Sequence, residues 1–344
     1  MSSTPALFCI GNPLLDIIAT DEKLLTKYGL EANGAILAEE KQNPIYEDLV
    51  KNHKVTYVAG GAAQNAARGA AYILPPGSVA YTGCVGDDDL AEQLKAANKK
   101  EGLIDVYQVK KGEQTGACAV VVTGHHRSLC TTLRGSEKFD ESHLESATVK
   151  PVIDGAKVFY LEGYFLTHGA EILARLAQKV SVAGKVSVIN FSAPFIPQFF
   201  NPAIQAVLPY IDIVICNETE AEAWANSNGV PNPTDLPSVA KAIASYQKSN
   251  PSRPRTAIIT HGAEPTIVVS SDAPDSVKEY PVHKLAENEI VDTNAAGDGF
   301  AGGFLGAFVL DKSLDECIAV GQKMATMVIQ QVGAQYQWPK VNLL

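Results

Sequence analysis

An aspartate follows a run of small residues near the end of the chain, in the stretch VDTNAAGDGF. Ala295, Ala296 and Gly297 precede Asp298, and the apolar segment after them predicts that a helix begins here. Helix N-termini leave backbone N–H groups without intrahelical partners and attract anions. A carboxylate beside them could take a proton from an attacking hydroxyl while the amides stabilise a phosphoryl group. An acidic residue in a first helical turn also stabilises a helix that binds nothing, so both interpretations stay open.

Two earlier stretches place polar groups where a ligand could reach them. In AGGAAQNAARG, Gly60 and Gly61 would let a ligand approach the backbone, and Asn65 would project an amide from the following helix. In GNPLLD, Asp16 follows the first predicted strand, at the edge where open α/β sheets bind ligands, and its two oxygens suit a vicinal diol. A strand-to-helix turn explains the glycines equally well, and an Asx-type turn explains Asp16.

The stretch NETEAEAW combines an amide and a carboxylate at a predicted helix start. Asn217 and Glu220 are three residues apart and share one helix face, where their oxygens suit a hydrated magnesium ion. The same pair also fits an N-cap asparagine with a capping-box glutamate. The two interpretations are compatible, because one side chain can cap the helix and face a ligand.

The elements that must position these residues follow a βα alternation. Short, nearly continuous apolar runs predict strands buried on both faces of a parallel sheet; they are ALFCIG, VAYTGCVG, KVFYLEG, KVSVINFS, DIVICN and TAIITHG. Helical patterns cover 62–73, 89–101, 168–182, 219–227, 236–248, 296–310 and 313–331. The fold class is therefore α/β, a mostly parallel sheet covered by helices on both faces. The internal glycines of 296–310, Gly299, Gly302, Gly303 and Gly306, are compatible with a helix only if it packs very closely on its neighbours.

Two polar, strand-rich segments interrupt the alternation. Residues 17–58 and 105–133 contain short runs such as KVTYVAG, IDVYQVK and TGACAVVVTG, which we expect to pair as antiparallel strands. They predict a small, discontinuous β-rich lid. The remaining segments, 1–16, 59–104 and 134–344, would form the large α/β domain.

Composition narrows the class of function. The formal net charge is −10, from 28 basic and 38 acidic residues, which argues against binding to nucleic acid or an anionic membrane surface. We expect small-molecule substrates instead. The first residues lack the pattern of a signal peptide, and six scattered cysteines without a C-x-x-C pair are typical of reduced thiols, so we expect a soluble, cytoplasmic protein.

Seven motifs, taken in order, resemble those of the ribokinase-like (phosphofructokinase-B) carbohydrate kinases. They are GNPLLD, AGGAAQNAA, GCVGDDD, TGACAVVVTGHHRSL, NFSAPF, NETEAEA and VDTNAAGDGFAGGFL, and they extend over about 7–333. NFSAPF and NETEA resemble the branch of the family that phosphorylates a purine nucleoside. The resemblance implies a ribokinase-like fold and transfer of the γ-phosphate of ATP to the 5′-hydroxyl of adenosine, with Mg²⁺. It also implies a monomer that is cytoplasmic and also nuclear. A kinase for another nucleoside or a free sugar, or an inactive nucleoside-binding protein, are the alternatives.

The resemblance also implies roles for individual residues. Asp298 matches the catalytic base, the amides of Ala296, Gly297 and Asp298 match an anion hole, and Arg127 matches a lid arginine that meets the phosphate. Substrate-binding positions are Asn12, Leu14, Asp16, Ile36, Leu37, Gly60, Gly61, Asn65, Cys118, Leu129, Leu133 and Phe165. Among these, Asp16 would hold the ribose hydroxyls and Phe165 would stack on the purine.

The remaining implied positions concern ATP and ions. Those at the ATP site are Asn190, Asn217, Glu220, Thr260 and Gly262, with Asn217 and Glu220 organising Mg²⁺ through water. A monovalent cation is expected near Asp292.

Two departures from the family pattern concern the predicted anion hole and the purine pocket. Ala295 replaces a glycine of the family, which is tolerable if its φ is negative and costly otherwise. Ala35 stands where relatives often have a glutamine that reaches the purine, so purine discrimination would rest on other groups.

Overall fold

The fold is a large mixed sheet with helices on both faces and a smaller sheet beside it. The computed structural model describes residues 4–32, 34–124 and 126–344. The strands are β1 Leu7–Ile10, β2 Leu14–Thr20, β3 Ala35–Leu37, β4 Thr56–Gly60, β5 Val79–Thr82, β6 Cys84–Gly86, β7 Ile104–Asp105, β8 Gln108–Lys110, β9 Gly116–Thr123, β10 His126–Thr132, β11 Val158–Glu162, β12 Val186–Asn190, β13 Ile213–Asn217, β14 Thr256–His261, β15 Glu264–Ser270 and β16 Lys278–Tyr280.

The helices occupy the segments between these strands and the end of the chain. The α-helices are α1 Lys23–Tyr28, α2 Ile45–Asn52, α3 Ala62–Ile73, α4 Asp89–Glu101, α5 Lys150–Gly155, α6 Leu166–Val182, α7 Phe195–Phe199, α8 Asn201–Val207, α9 Glu218–Ser227, α10 Leu236–Ser245, α11 Ala296–Val309 and α12 Leu314–Ile329. Short 3₁₀ turns cover Arg134–Lys138, Glu141–Glu145, Gly163–Phe165, Leu208–Tyr210 and Glu287–Glu289.

The main sheet has nine strands in the order β16-β15-β14-β13-β12-β11-β1-β5-β7. The strands from β14 to β7 are parallel, and β15 and β16 add an antiparallel edge. β1 pairs with β5 on one side and with β11 on the other, so the strand order reverses at β1. In open α/β sheets, ligands bind beyond the carboxyl ends of the strands at such a reversal.

One face of the main sheet is covered by α3, α11 and α12, and the other by α6 and α8 to α10. The predicted close approach of α11 is confirmed. A Cβ added at Gly302 would lie 2.7 Å from Ala66 O of α3, and one at Gly303 would lie 2.7 Å from Val320 O of α12. The glycines therefore let three helices pack at backbone distance over the sheet.

The small sheet has five strands in the order β3-β10-β9-β2-β4. β2 pairs parallel with β9 and antiparallel with β4, so that GNPLLD and the strand before Gly61 are neighbours in this sheet. The expectation that IDVYQVK forms antiparallel lid strands is wrong. Its two short strands, β7 and β8, run parallel to β5 and β6 outside the small sheet, because the chain leaves α4 at the edge of the main sheet.

Candidate active site

A cavity of about 440 Å³ lies between the small sheet and the carboxyl edge of the main sheet. Most of the predicted site residues line it: Asn12, Leu14, Asp16, Ile36, Leu37, Gly61, Asn65, Cys118, Leu129, Leu133, Asn190, Asn217, Glu220, Thr260, Ala296, Gly297 and Asp298. They come from seven strands, from the N-terminal turns of three helices and from the connecting segments. The fold therefore brings together residues that are up to 286 positions apart in the chain, from Asn12 to Asp298.

Asp298 lies in the first turn of α11 and faces this cavity. Its Oδ2 accepts a hydrogen bond of 3.0 Å from Asn65 Nδ2, on the neighbouring helix α3. Burial raises the pKa of Asp298 to about 6, and the bond from Asn65 opposes that rise. A carboxyl with a pKa near 6 is ionised at neutral pH and still basic enough to accept a proton.

The N-terminus of α11 carries no side-chain cap. The first amides of the helix therefore lack intrahelical acceptors, and Ala296 N makes only a long hydrogen bond of 3.4 Å to Thr293 O. Gly297 is exposed, and a Cβ added there would meet no atom within 4 Å. An anion can approach these amides without steric hindrance.

Ala295, the residue before this helix, has φ +60° and ψ 9°. This is the left-handed conformation, in which a Cβ crowds the backbone and glycine is favoured. Because φ is positive here, the alanine that replaces the family's glycine lowers stability. The chain holds a strained residue beside the predicted anion hole.

Asp16 lies on β2 against Gly60 and Gly61 of the neighbouring strand and helix start. A Cβ at Gly60 would lie 2.2 Å from Asp16 Oδ1, and one at Gly61, where φ is +88°, would lie 2.3 Å from Asn12 O. Both glycines are therefore required by close packing, although only Gly61 lines the cavity. Burial raises the pKa of Asp16 to about 7, while the positive charge of Arg68 lowers it in part.

Arg68, on α3, is a buried cation below Asp16 and Asn65. Its Nε and Nη2 donate to the two carboxylate oxygens of Glu101 at 2.7 and 2.9 Å, and its Nη1 donates to Ala59 O at 2.7 Å. A bidentate ion pair of this kind is geometrically rigid. The pair joins α3 to α4, and the bond to Ala59 O fixes the end of β4, next to Gly60 and Gly61, relative to the helix that carries Asn65.

Asn217 and Glu220 form the predicted capping box at the start of α9. Glu220 N donates to Asn217 Oδ1 at 2.8 Å, and Asn217 N donates to Glu220 Oε2 at 3.0 Å. Both residues also line the cavity. Burial raises the pKa of Glu220 to about 7. The capping role is confirmed, and the same two residues form part of the cavity wall.

The small sheet contributes an apolar wall. Leu14, Cys118, Leu129 and Leu133 line the cavity together with Ile36 and Leu37 of β3. Ile36 and Leu37 keep 39% and 48% of their surface exposed. Large apolar side chains that remain this open on a cavity wall are available to a flat, apolar ligand.

The expectation that Phe165 faces the purine is wrong. Its ring is fully buried and packs against His168 and Phe139, with ring centroids 4.6 and 5.5 Å apart. Tyr164, one residue earlier, lines the cavity instead. The 3₁₀ turn Gly163–Phe165 between β11 and α6 decides which of the two aromatic residues faces the cavity. The sequence alone does not show this, because the two residues are adjacent.

Two other expected residues lie outside the cavity lining. Arg127, on β10, is buried and its Nε lies 3.4 Å from Asp292 Oδ2, in the loop before α11. Asp292 also accepts bonds from the amides of Asn294 and Gly333, both at 2.9 Å. Gly262 is exposed, with φ +53°, in the turn after β14, while Thr260 lines the cavity.

The sequence reasoning missed several cavity residues, of which Glu162 is the most informative. It ends β11, and its carboxylate accepts bonds from Asn12 N at 2.7 Å and Ala63 N at 2.9 Å. Burial raises the pKa of Glu162 to about 8. A charged residue at the end of the apolar run KVFYLEG was the available signal. Other missed lining residues include Ala62, Val120, Thr131, Tyr164, Thr167, Ser192, Phe195 and Thr293.

Within residues 4–32, 34–124 and 126–344, no group of three or more His, Cys, Asp or Glu side chains could hold a metal ion by itself. Asn217 and Glu220 supply two oxygen-bearing side chains at one side of the cavity. This donor set fits a Mg²⁺ that keeps most of its ligands as water and phosphate oxygens. In the same described ranges, no helix is long and apolar enough to cross a membrane.

The chain matches known proteins along nearly its whole length. Residues 22–341 match the family described as pfkB family carbohydrate kinase. An adenosine kinase of Schizophyllum commune is 63% identical over 343 residues, which cover 99% of this chain and 100% of that protein. An adenosine kinase of Saccharomyces cerevisiae is 42% identical, over 98% of this chain and 99% of that protein.

The chain is also similar to solved structures of adenosine kinases. Adenosine kinase from Anopheles gambiae, in complex with P1,P4-di(adenosine-5) tetraphosphate, is 40% identical with a TM-score of 0.90, over 95% of this chain and 96% of that chain. Adenosine kinase from Schistosoma mansoni, in complex with 2-fluoroadenosine, is 30% identical with a TM-score of 0.91, over 98% of both chains.

Proposed function

Because the chain belongs to the pfkB family of carbohydrate kinases, we propose that it transfers the γ-phosphate of ATP to the 5′-hydroxyl of adenosine, giving AMP and ADP. The observation that carries the proposal is the position of Asp298. Its carboxylate shares one cavity with Asp16, with the apolar wall and with the uncapped N-terminus of α11. Sequence identity of 63% to an adenosine kinase supports the choice of nucleoside.

In the proposed reaction, Asp298 accepts the proton of the 5′-hydroxyl as the oxygen attacks the γ-phosphorus, and ADP leaves. Asn65 holds Asp298 by its 3.0 Å bond, so the free carboxylate oxygen is directed to the nucleoside. The amides of Ala296, Gly297 and Asp298 stabilise the charge on the transferred group. Phosphoryl transfer requires positioning and electrostatic stabilisation more than covalent chemistry, so no phosphorylated protein is expected.

On the nucleoside side, we propose that Asp16 accepts hydrogen bonds from the 2′- and 3′-hydroxyls. Its position on the cavity wall, which it shares with Gly61 and Asn65, supports this role. The wall of Leu14, Ile36 and neighbouring side chains would cover the purine. The Thr131 hydroxyl donates to Cys118 Sγ at 3.3 Å, so this polar group in the wall already has a partner.

On the ATP side, Asn190, Asn217, Glu220 and Thr260 would contact the phosphates and their ion. Bound Mg²⁺ neutralises charge on the phosphates during transfer. Glu220 and Asn217 would hold its water ligands. A separate monovalent cation at Asp292 is not included in the proposal, because Arg127 already lies 3.4 Å from that carboxylate. The monomeric state and the cytoplasmic and nuclear location stay predictions.

We also propose that the small sheet is a lid that closes on the nucleoside. The exposed Ile36 and Leu37 support closure, since covering a purine would bury them. Arg127 on β10 would then move with the lid and meet the phosphate. Hydrogen exchange in 17–58 and 116–133 should slow when adenosine alone is added. Unchanged exchange in both segments would contradict a closing lid.

One assay of ADP release separates this function from its alternatives. Adenosine should give a higher kcat/KM than inosine, because the 6-oxo group and N1–H of inosine lack partners in an apolar wall, and an unmatched buried group costs about 1–3 kcal/mol. Ribose should be poorer still. Inosine or ribose equal to adenosine would favour another substrate, and no ADP release with any of them would favour a binding protein.

The sugar half of the site has its own test. If Asp16 binds both hydroxyls, 2′-deoxyadenosine should be a poorer substrate than adenosine. Asp16→Ala should lower kcat/KM for adenosine by about 10- to 100-fold, the size expected for hydrogen bonds to a charged group. The same substitution should narrow the difference between the two nucleosides. An unchanged ratio would remove Asp16 from the sugar site.

A further inference from the structure

Asn12, in the GNPLLD turn, is held by one hydrogen bond through its main chain and one through its side chain. It is 2% exposed and lines the cavity. Its backbone N–H donates to Glu162 Oε2 at 2.7 Å, and its Oδ1 lies 2.9 Å from His168 Nε2. Glu162 and His168 lie on either side of the turn between β11 and α6. The residues on either side of that turn therefore hold both the main chain and the side-chain amide of Asn12.

The other end of the Asn12 amide has no such partner. Among the residues that the structure describes, no atom accepts a hydrogen bond from Asn12 Nδ2, although the atom is buried. A buried donor without an acceptor costs about 1–3 kcal/mol. A donor at the wall of the substrate cavity recovers this loss when a ligand supplies an acceptor, so the geometry favours a ligand contact here.

The imidazole ring of His168 is held by packing against Phe165. Phe165 packs on its ring at a centroid distance of 4.6 Å. Room for Phe165 comes from Gly169, where the helix is kinked, with φ −122° and ψ 28°, and where a Cβ would lie 2.2 Å from the Phe165 ring. Burial lowers the pKa of His168 to about 4, so the imidazole is neutral at pH 7 and one ring nitrogen carries its proton.

We propose that His168 is a positioning residue for nucleoside binding: its Nε2–H donates to Asn12 Oδ1, and this fixes the amide with Nδ2 towards a hydrogen-bond acceptor of the bound nucleoside. The opposite tautomer would accept from Nδ2 and turn Oδ1 to the ligand, so the imidazole decides whether Asn12 offers a donor or an acceptor. This inference rests on the proposed function and assigns a part of its specificity to a residue that need not touch substrate.

The test uses His168→Phe and His168→Leu, which remove the donor, and His168→Gln, whose amide nitrogen reaches about as far as Nε2. Without the donor, KM for adenosine should rise about tenfold, while kcat and KM for ATP stay within twofold of the wild-type values. His168→Gln should restore KM to within threefold. In an Asn12→Ala background, His168→Phe should change KM by less than twofold.

Several outcomes would overturn the inference. They are an unchanged KM for adenosine in both donor-free variants, equal impairment in His168→Gln, and additive effects in the Asn12→Ala background. Melting temperatures identify a variant that is merely destabilised, and His168→Leu serves if His168→Phe does not fold. If the wild-type protein does not phosphorylate adenosine, the proposed function fails instead, and calorimetry of adenosine binding to the same variants still tests the positioning role.

Discussion

The carboxyl edge and the amino edge of the main sheet, where its parallel strands end and begin, both contain buried charged residues. The two edges differ in how that charge is balanced. At the carboxyl edge, Asp16, Glu162, Glu220 and Asp298 line one cavity, and burial raises the pKa of each. Hydrogen bonds from backbone amides and from Asn65 support these carboxyls, and their charge is only partly compensated by Arg68, which acts on Asp16.

At the amino edge the buried charged groups are hydrogen-bonded within the protein. Asp212, before β13, accepts bonds from Lys248 Nζ at 2.7 Å, from Arg253 Nη1 at 3.0 Å and from Ser187 N at 3.0 Å. Arg255, before β14, is fully buried, and its guanidinium donates to the carbonyl oxygens of Leu208, Ile211, Ile243, Tyr246 and Gln247.

We infer that the buried charges of the amino edge contribute to stability, whereas the buried carboxyls of the carboxyl edge contribute to function. At the amino edge every buried charge that we describe has protein partners, and removing one leaves others unsatisfied. At the carboxyl edge the protein keeps acidic groups in an environment that disfavours their ionised form, which is expected where a ligand and its cation complete the site. Substitutions at the two edges should therefore change different measurable properties.

The largest expected effect is on catalysis at the carboxyl edge. Asp298→Asn should lower kcat by about 100- to 10,000-fold, because a positioned base is lost. Its melting temperature should not fall, since a neutral amide removes a disfavoured buried charge. Calorimetry should still detect adenosine binding. A kcat near the wild-type value would remove Asp298 from the reaction.

The matching effect at the amino edge is on stability. Arg255→Met should lower the free energy of unfolding by about 3 kcal/mol or more, because five buried carbonyl groups lose a charged donor. kcat/KM measured on the folded protein at 25 °C should stay within twofold. Arg253→Met is the control: its side chain is 37% exposed, and the expected loss is about 1 kcal/mol. Equal losses in urea titrations of the two variants would contradict the difference.

The pH dependence of activity should reflect the raised pKa of Asp298. The base acts in its ionised form, so kcat at saturating adenosine should fall by about tenfold per pH unit below pH 6. Asn65→Ala should move this acidic limb to higher pH, because its bond lowers the pKa of Asp298. A limb that stays in place in Asn65→Ala would show that the bond does not act on the titrating group.

Stability without ligand should change with pH in the opposite direction. The pKa of Glu162 is about 8 in the folded protein against an ordinary value of 4.5. The contribution of protonated Glu162 to the free energy of unfolding is complete below about pH 4.5. It is lost as the pH rises towards 8, because in that range the carboxyl ionises in the unfolded chain but stays protonated in the folded protein. The difference in unfolding free energy between the wild type and Glu162→Gln should therefore decrease from pH 5 to pH 8. A difference independent of pH would contradict the raised pKa.

The smallest effect concerns the strained residue before α11. Ala295→Gly should raise the free energy of unfolding by up to about 1 kcal/mol, because glycine adopts the φ of +60° without crowding. Ala296→Gly is the matched control, since that residue is helical and glycine there should lower stability by about 0.5–1 kcal/mol. Thermal melts of both variants give the two signs; the same sign in both would contradict strain at Ala295.

Local patterns predicted much of the fold. Helices α3 and α4 begin and end where their apolar spacing indicates, and the capping box of Asn217 and Glu220 forms as expected. The glycines of α11 predicted its close packing against other helices. These features depend on backbone geometry over a few residues, and short stretches of sequence contain that information.

Other features depended on where elements meet. IDVYQVK has the alternation of an antiparallel strand. After α4, however, β7 pairs parallel with β5 at the edge of the main sheet, and β8 pairs parallel with β6 in a separate two-stranded sheet. Of two adjacent aromatic residues, the turn after β11 turned Phe165 inward and left Tyr164 at the cavity.

The sequence by itself determined the α/β class, most helix boundaries and the set of residues able to carry the chemistry, because strand and helix periods and motif spacings are local properties of the chain. The tertiary structure decided which of those residues share a cavity. It placed Glu162 and His168 against Asn12, and it gave Ala295 a positive φ. It also raised the pKa of the four cavity carboxyls, since burial and the distance between charges exist only once distant segments have packed together.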